Sequence, residues 1–502
     1  MTDTNRRLID ALRAFVPEVM RVNATPGLNL ALGRQGRLLW EEGFGFADLE
    51  DRTPMTPRTT MHSGSMGKTY TATAVMQLVE KGVMGLHDPI NRHLHGFEVD
   101  NPLGERDVTV YDLLTHRSGL ASNEAAPDFA PPPPLGEHLE RSYGEQVQDL
   151  YYGSVVPKWT AKVGMLYQYS NTGMATLGFL VEATNPDGLS FSDYVQRHII
   201  EPLGMHDTQY PPYQDVPAAR ADLVERFSSG YAGFAGLNLP TPPVYFADHP
   251  AGTVVTTPGD HLRLLLAYLN GGELDGQRIL RDETVGHMLT PQVTGIRPTD
   301  DAVAGGLAWF LGRHGKVDGW FGHVGAHMYG WHNDFRAYPE LDVAVVVATN
   351  RWDMVAWSLG LRDVHDSAFI ADFVAGFLVR EREGTHPGPA DLPWAWKRSY
   401  AIGLFYADRI MALSPTSALT DAMIAQMAKP FGDVADGFEA DAFTEAVEGI
   451  RSTDGRVDSI QTFVRSPACR LAPEELALVY RELGGLGPFP VPATVGFLLA
   501  AN

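Results

Sequence analysis

Cysteine is nearly absent: Cys469 is the only one among 502 residues. A lone cysteine can form neither an internal disulfide nor a thiolate metal cluster, so the fold must rest on its core. Basic residues are also scarce, 39 against 61 acidic ones for a formal net charge of −22. That balance argues against nucleic acid or an anionic membrane as a partner. No apolar run is long enough to span a bilayer. The opening Met1-Thr2-Asp3-Thr4-Asn5-Arg6-Arg7 lacks the apolar core of a signal peptide, and Leu8 to Met20 reads as an amphipathic helix. A cytoplasmic location is the expectation. The remaining composition, 44% apolar and 20% charged, is that of an ordinary globular protein. The length suits one large unit with an appendage.

The chain is organised around His62-Ser63-Gly64-Ser65-Met66-Gly67-Lys68-Thr69, which runs into Tyr70 to Gly82. The second part is mostly apolar, without strand-like alternation and without Pro or Gly before Gly82, so it reads as a buried helix with a C-terminal glycine. Ser65 then sits at or near the helix N-terminus, where backbone N–H groups favour developing negative charge. Lys68 follows on the same face. A hydroxyl needs a neighbour to take its proton before it attacks, and a partly desolvated lysine serves. Ser65 is the expected nucleophile.

Rival readings of this stretch fail on single residues. Gly67-Lys68-Thr69 resembles the end of a phosphate-binding loop, but His62 stands where the loop needs its first glycine, and Arg58 to Met61 is too short and polar for the preceding strand. A Gly-x-Ser-x-Gly elbow fails because Ser63 takes the place of its first glycine. A Ser-x-x-Lys pair satisfied inside a core is common, so the catalytic reading needs partners elsewhere.

Two later segments supply them. Tyr169-Ser170-Asn171 opens a small-residue helical run. A tyrosine there can pass a proton between Ser65 and a leaving group beside Lys68, and the Asn171 amide can bond both Lys68 and substrate. Gly322-His323-Val324-Gly325-Ala326 leads into a strand whose edge can present N–H groups, and those of Ala326 and Ser65 would form an oxyanion hole. His314, His323, His327 and His332 lie close in sequence but share no helix face and have no Glu or Cys at ligand spacing, so no metal is expected. No other cofactor is expected either. Trp320, Tyr329 and Trp331 read as walls of the site or as core.

Along the chain, Gly27–Leu32 and Gly36–Glu41 form a hairpin around Gly33–Gly36. Thr109 to Leu120 is a short helix and loop, and Pro131–Pro134 forms a stiff exposed edge. A helical region reaches about residue 205, and Asp260–Gly271 is a further helix. Strands return at Leu307–Leu311, near Trp331–Tyr338 and at Leu341–Ala348, followed by a helix around 354–380. The order closes one antiparallel sheet from both ends of the chain. The expected fold class is therefore α/β of the α+β type: a sheet flanked by helices, an all-helical subdomain at roughly 85–300, and a C-terminal helical extension. The expected boundaries are a main domain at 1–382, a Gly/Pro/charge-rich linker at 383–392 and helices at 393–502. The acids Asp433, Asp436, Glu439, Asp441, Glu445 and Glu448 match no calcium loop and read as a solvated helix face.

Taken together these segments resemble the serine β-lactamase and penicillin-binding-protein superfamily, in its class C-like branch, over roughly residues 8–380. The resemblance is carried by Ser65-x-x-Lys68, Tyr169-Ser170-Asn171, Leu113–Leu120, Glu201–Thr208, Pro250–Thr257 and Asn270–Gly276. It implies a site between a sheet and a helical subdomain, and an acyl-enzyme on Ser65 with Lys68 and Tyr169 sharing the proton transfers. The third motif departs from it. Where β-lactamases have Lys-Thr-Gly, this chain has His323-Val324-Gly325, a poorer clamp for a substrate carboxylate. The implied activity is thus that of a carboxylesterase first, with peptidase or amidase action on D-residue-containing or linearised cyclic peptides next. β-Lactam hydrolysis comes last among enzymes, and a non-catalytic binder would not need Ser65, Lys68, Tyr169 and Asn171 together. The expected partner is a small ester or short peptide. The C-terminal helices are open to capping the site, joining copies into a homo-oligomer, or adding stability.

Overall fold

A computed structural model describes residues 2–385 apart from short segments, chiefly 122–131, 212–218, 297–301 and 354–365. The C-terminal helices, the acidic cluster, Cys469 and Tyr329 lie outside the described residues.

The described elements that matter for the site are α1 (Asp3–Val22), β1 (Gly27–Arg34), β2 (Arg37–Asp48), β3 (Thr53–Pro54), α2 (Lys68–Glu80), α3 (Val110–Leu114), α4 (Asn171–Thr184), α5 (Pro258–Leu269), β4 (Val293–Thr294), β5 (Ala302–Gly305), β6 (Phe310–His314), β7 (Val317–His327), β8 (Trp331–Tyr338), β9 (Val343–Thr349) and α6 (Asp366–Glu383). All nine strands join one antiparallel sheet in the order β4-β5-β6-β7-β8-β9-β1-β2-β3. The N-terminal hairpin thus completes a sheet begun by the C-terminal strands, as the element order predicts. Its turn is tight because Gln35 and Gly36 both take positive φ, +55° and +70°, which matches the twist of the flanking strands.

β9 is buried along its whole length, which is why Val343–Ala348 reads as an unbroken apolar run rather than an alternating one. Its neighbour β1 buries Leu28, Leu30 and Leu32. At Gly33, where the β1–β2 register slips, Leu262 and Leu266 of α5 lie where a side chain would stand. α5 therefore packs directly on the sheet. α2 is buried from Lys68 to Leu78 and shares one core with α3, α4 and α5 through Val75, Leu114, Leu177 and Leu265. This all-round burial explains why α2 shows no amphipathic stripe. On the sheet, the buried Arg336 guanidinium meets Asp334 at 2.8 Å and Asp372 of α6 at 3.0 Å.

Several expectations need correction. The region 85–300 is not all helical: it holds short ribbons at Gln148–Asp149 with Ser154–Val155, Tyr231–Phe234 with Leu237–Pro240, and Glu273–Leu274 with Gln277–Arg278. The last turns on Asp275 and Gly276, both at positive φ, a hairpin signal that the helical reading of the region obscured. The strand placed at Leu307–Leu311 begins only at Phe310. β5 and most of β7 are additional, their glycines and polar residues having hidden any alternation. By contacts, the unit that carries the sheet and the site spans Pro26–Met354 with Ala371–Val379, while α1 belongs with the two ends of α6 in a second unit. Within that second unit Arg7 pairs with Glu381. Among the described residues no helix is long and apolar enough to cross a membrane.

Candidate active site

The approach to Ser65 is pinned from two sides. Met61–His62 pairs with Val255–Thr256, and the Ser63 N–H donates to the Val254 carbonyl at 2.9 Å. From β8, the Asn333 amide donates to the His62 carbonyl at 2.7 Å. Gly64 then turns the chain with φ +58°, a conformation that disfavours any side chain. A Cβ there would stand 2.9 Å from the Ala326 nitrogen, so the backbone of the turn lies directly against β7. A short 3-10 turn, Gly64–Gly67, leads on into α2. Ser65 thus precedes the α-helix proper, half-buried, with Lys68 one turn further on.

Lys68 is fully buried. Its Nζ donates to Ser65 Oγ at 3.0 Å and to the Ala251 carbonyl. Thr69 Oγ1 turns back to the Met66 carbonyl at 2.8 Å. Both side chains point into the fold, an arrangement unlike that of a phosphate-binding loop. The Tyr169 ring centroid lies 4.7 Å from Lys68 Nζ. Tyr169 ends a loop at the start of α4, where Ser170 caps the helix by accepting the Gly173 N–H at 3.0 Å. Asn171, the first residue of α4, holds its Oδ1 buried and without a hydrogen-bond partner among the described residues. The expected bond from Lys68 to that oxygen is therefore absent; the Lys68 Nζ donates to the Ala251 carbonyl.

His323 and Ala326 lie inside β7 itself, not ahead of a strand. β8 pairs with this stretch in the register His323 with Phe335 and Gly325 with Asn333. β6 pairs with β7 only as far as Gly322, so His323–His327 runs on past it. Gly325 packs on the turn so tightly that a Cβ would overlap the Ser63 carbonyl oxygen. The His323 ring stacks on Phe310 at 4.1 Å and 20°, and lies 6.2 Å from the Tyr169 ring. Its Nδ1 is 2.6 Å from the Val324 carbonyl, so Nδ1 carries the proton and Nε2 is left as an acceptor. That Nε2 is buried and has no partner among the described residues. Burial first, and the nearby Lys68 charge second, push the imidazole down to about 3, against a smaller opposing pull from the Val324 carbonyl. The third-motif residue is therefore neutral in ordinary buffers.

A hydroxyl, a buried amine, a phenol and a neutral imidazole thus gather where two backbone segments meet. The β-lactamase family profile matches residues 12–363. The chain belongs to the β-lactamase family. Penicillin-binding protein 4 of Amycolatopsis lactamdurans is 30% identical over 332 residues, covering 65% of this chain and 81% of that protein. Among solved structures, an octameric penicillin-binding protein homologue from Pyrococcus abyssi matches with TM-score 0.59 at 23% identity, over 79% of this chain and 81% of that one. D-amino acid amidase from Ochrobactrum anthropi SV3 matches with TM-score 0.56 at 24% identity, over 76% of this chain and 100% of that one. These matches share the fold described above, and the family is one of serine hydrolases.

The chain brings Ser65, Lys68, Tyr169, His323, Gly325 and Ala326 together, although they come from the turn, α2, the loop before α4 and β7; Asn171 adjoins them in sequence, at the start of α4. Three contributors had no role in the sequence reading. Ala251 supplies the carbonyl that grips Lys68, Phe310 carries the His323 ring, and His116 packs on Tyr169. Ala251 and His116 lie inside segments quoted for the resemblance; Phe310 had no signal. Trp331 and Trp320 are buried, at 3% exposure each. Trp331 stands beside His62, and Trp320 lies under the Arg336 guanidinium. Among the described residues no group of His, Cys, Asp or Glu is arranged to hold a metal.

Proposed function

We propose that the protein hydrolyses a carboxylic ester or amide through an acyl-enzyme on Ser65, with small and medium acyl esters as the favoured substrates. The observation that carries this reading is the 3.0 Å bond between the buried Lys68 Nζ and Ser65 Oγ with the Tyr169 ring alongside. As Ser65 Oγ attacks the carbonyl carbon, its proton passes to the Lys68–Tyr169 pair, which returns it to the leaving oxygen or nitrogen. Charge on the carbonyl oxygen is met by the N–H groups of Ser65 and Ala326. Water repeats the sequence on the acyl-enzyme and frees Ser65.

His323 supports an acyl group without a carboxylate. A neutral ring with an open Nε2 accepts a hydrogen bond but gives no cation to hold an anion. A second reading, the amide of a D-amino acid, is favoured by the fold match that spans the whole of a D-amino acid amidase.

The test is to mix the protein with p-nitrophenyl acetate, a D-amino acid amide and nitrocefin in parallel. A burst of p-nitrophenol, an acyl adduct on Ser65 by mass spectrometry, and loss of both in Ser65→Ala are expected. Hydrolysis that survives Ser65→Ala, or no turnover of either ester or amide, would overturn the reading. Faster amide than ester turnover would select the second reading.

A further inference from the structure

His116 follows α3 and holds φ +54°, unusual for a residue with a side chain. The strained backbone is fixed by its surroundings. Its N–H donates to the Leu113 carbonyl at 3.1 Å, and the next N–H, of Arg117, donates to the Asp112 carbonyl at 2.7 Å. α3 itself is locked by a reciprocal cap between Thr109 and Asp112.

From this position His116 holds the Tyr169 loop at two points. Its backbone carbonyl accepts the Gln168 N–H at 2.7 Å, and its Nδ1 accepts the Ser170 N–H at 3.1 Å. These are the residues on either side of Tyr169. Between the two bonds the imidazole lies against the phenol, 4.6 Å between ring centroids at 34°, and the Tyr167 ring meets its other contact edge-on at 5.7 Å. Accepting at Nδ1 places the ring proton on Nε2. That atom is buried and has no hydrogen-bond partner among the described residues. A ring that served only to fill space would not need this tautomer.

We propose that His116 is a positioning residue: by accepting from the backbone N–H groups on both sides of Tyr169, it holds the phenol ring beside Lys68, whose Nζ lies 4.7 Å from the ring centroid, for the proton exchange with Lys68 and Ser65. The inference rests on the reading of Tyr169 as a proton carrier. A phenol displaced by about 1 Å loses about a hundredfold in rate, so the effect of breaking the clamp falls on kcat. The bond at Nδ1 requires a neutral ring; a proton there would set a donor against the Ser170 N–H. Burial first, and the nearby Lys68 charge second, hold the ring well below its ordinary value of 6.5.

Two variants separate the acceptor from the backbone conformation. His116→Gly tolerates positive φ but has no acceptor, whereas His116→Asn tolerates it and places a carbonyl oxygen near the position of Nδ1. With p-nitrophenyl acetate, His116→Gly should lose about a hundredfold in kcat with KM little changed, and His116→Asn should recover most of that loss. If His116→Gly does not fold, His116→Gln replaces it, since its oxygen sits one bond further out. In a Tyr169→Phe background the same His116 substitution should cost little more. Full kcat in the acceptor-free variant, equal loss in it and in His116→Asn, or additive loss with Tyr169→Phe would overturn the proposal. A fully active Tyr169→Phe would instead overturn the functional reading beneath it, so the two failures are distinguishable.

Discussion

The two sides of the Ser65 turn are held by different means. On the sheet side, β7 is fixed by its register with β8 and by direct backbone packing of Gly325 and Ala326 on the turn. On the helical side, Tyr169 belongs to a loop, and its place depends on the Gln168 and Ser170 N–H groups donating to His116 and on the cap at Ser170. The imidazoles on the two sides show the same contrast. His323 gives its Nδ1 proton to its own strand and leaves Nε2 open, while His116 uses Nδ1 to hold a neighbouring segment. A sheet positions groups by steric fit, and a loop positions them by a few directional bonds. The first should fail abruptly when volume is added, the second by degrees as bonds are removed.

The largest effect should come from the sheet side. In Gly325→Ala the new methyl would overlap the Ser63 carbonyl and lie 3.0 Å from Met66 Cγ, so the turn must move away from β7. Since the proposed oxyanion site, the N–H groups of Ser65 and Ala326, lies across this contact, kcat should drop by about a hundredfold or more, with a clear loss of thermal stability. Gly286→Ala is the control. It lies in the helix Asp282–Met288 with nothing in the way, and should gain up to ~1 kcal/mol. Wild-type kinetics in Gly325→Ala would mean the two backbones do not need their present contact.

A smaller effect, spread over both sides, concerns pH. Burial pushes His249, His261 and His323 down to about 3 and lowers His116 as well. Each folded value lies below the ordinary 6.5, so the unfolded chain binds protons that the folded one refuses. Their stabilising contribution is complete above pH 6.5 and declines as pH falls from 6.5 towards 3, by up to ~1.4 kcal/mol per pH unit for each ring. Melting temperatures measured across that window should fall steeply and level off above it. Replacing His261, which is bonded to Tyr70 at 2.7 Å, with Gln should flatten the slope; an unchanged slope would mean that His261 takes no part in the acid limit.

The same contrast governs what the sequence disclosed. Ser65 and Lys68 were legible because two residues three positions apart share one turn and meet by local geometry. β9 and β1 were legible because full burial writes an apolar run into the chain. Tyr169 and His323 came from motifs, since nothing local says which strand or loop a remote segment will meet. β5 and the ribbons between 148 and 278 were missed because two-to-four-residue pairings carry no periodicity. Ala251 was hidden for a simpler reason: it acts through its backbone carbonyl, which every residue possesses. His116 carries its role in a left-handed backbone and a tautomer, neither of which is a sequence property.

The smallest expected effect sharpens the helical half of the comparison. Thr109 Oγ1 accepts the Asp112 N–H at 3.3 Å and donates to Asp112 Oδ2 at 2.6 Å, while Arg106 braces the same carboxylate at 2.8 Å. Thr109→Ala removes the cap but leaves Arg106 in place, so stability should fall by about 1 kcal/mol. The cap lies at the far end of α3 from His116, and the bonds that His116 accepts from the N–H groups of residues 168 and 170 do not pass through Thr109. If directional bonds near Tyr169 set its position, kcat in Thr109→Ala should stay close to wild type while the melting temperature drops. A kcat loss matching that of the acceptor-free His116 variant would place control of the phenol in α3 as a whole, and the distinction between a loop held by particular bonds and a strand held by fit would no longer stand.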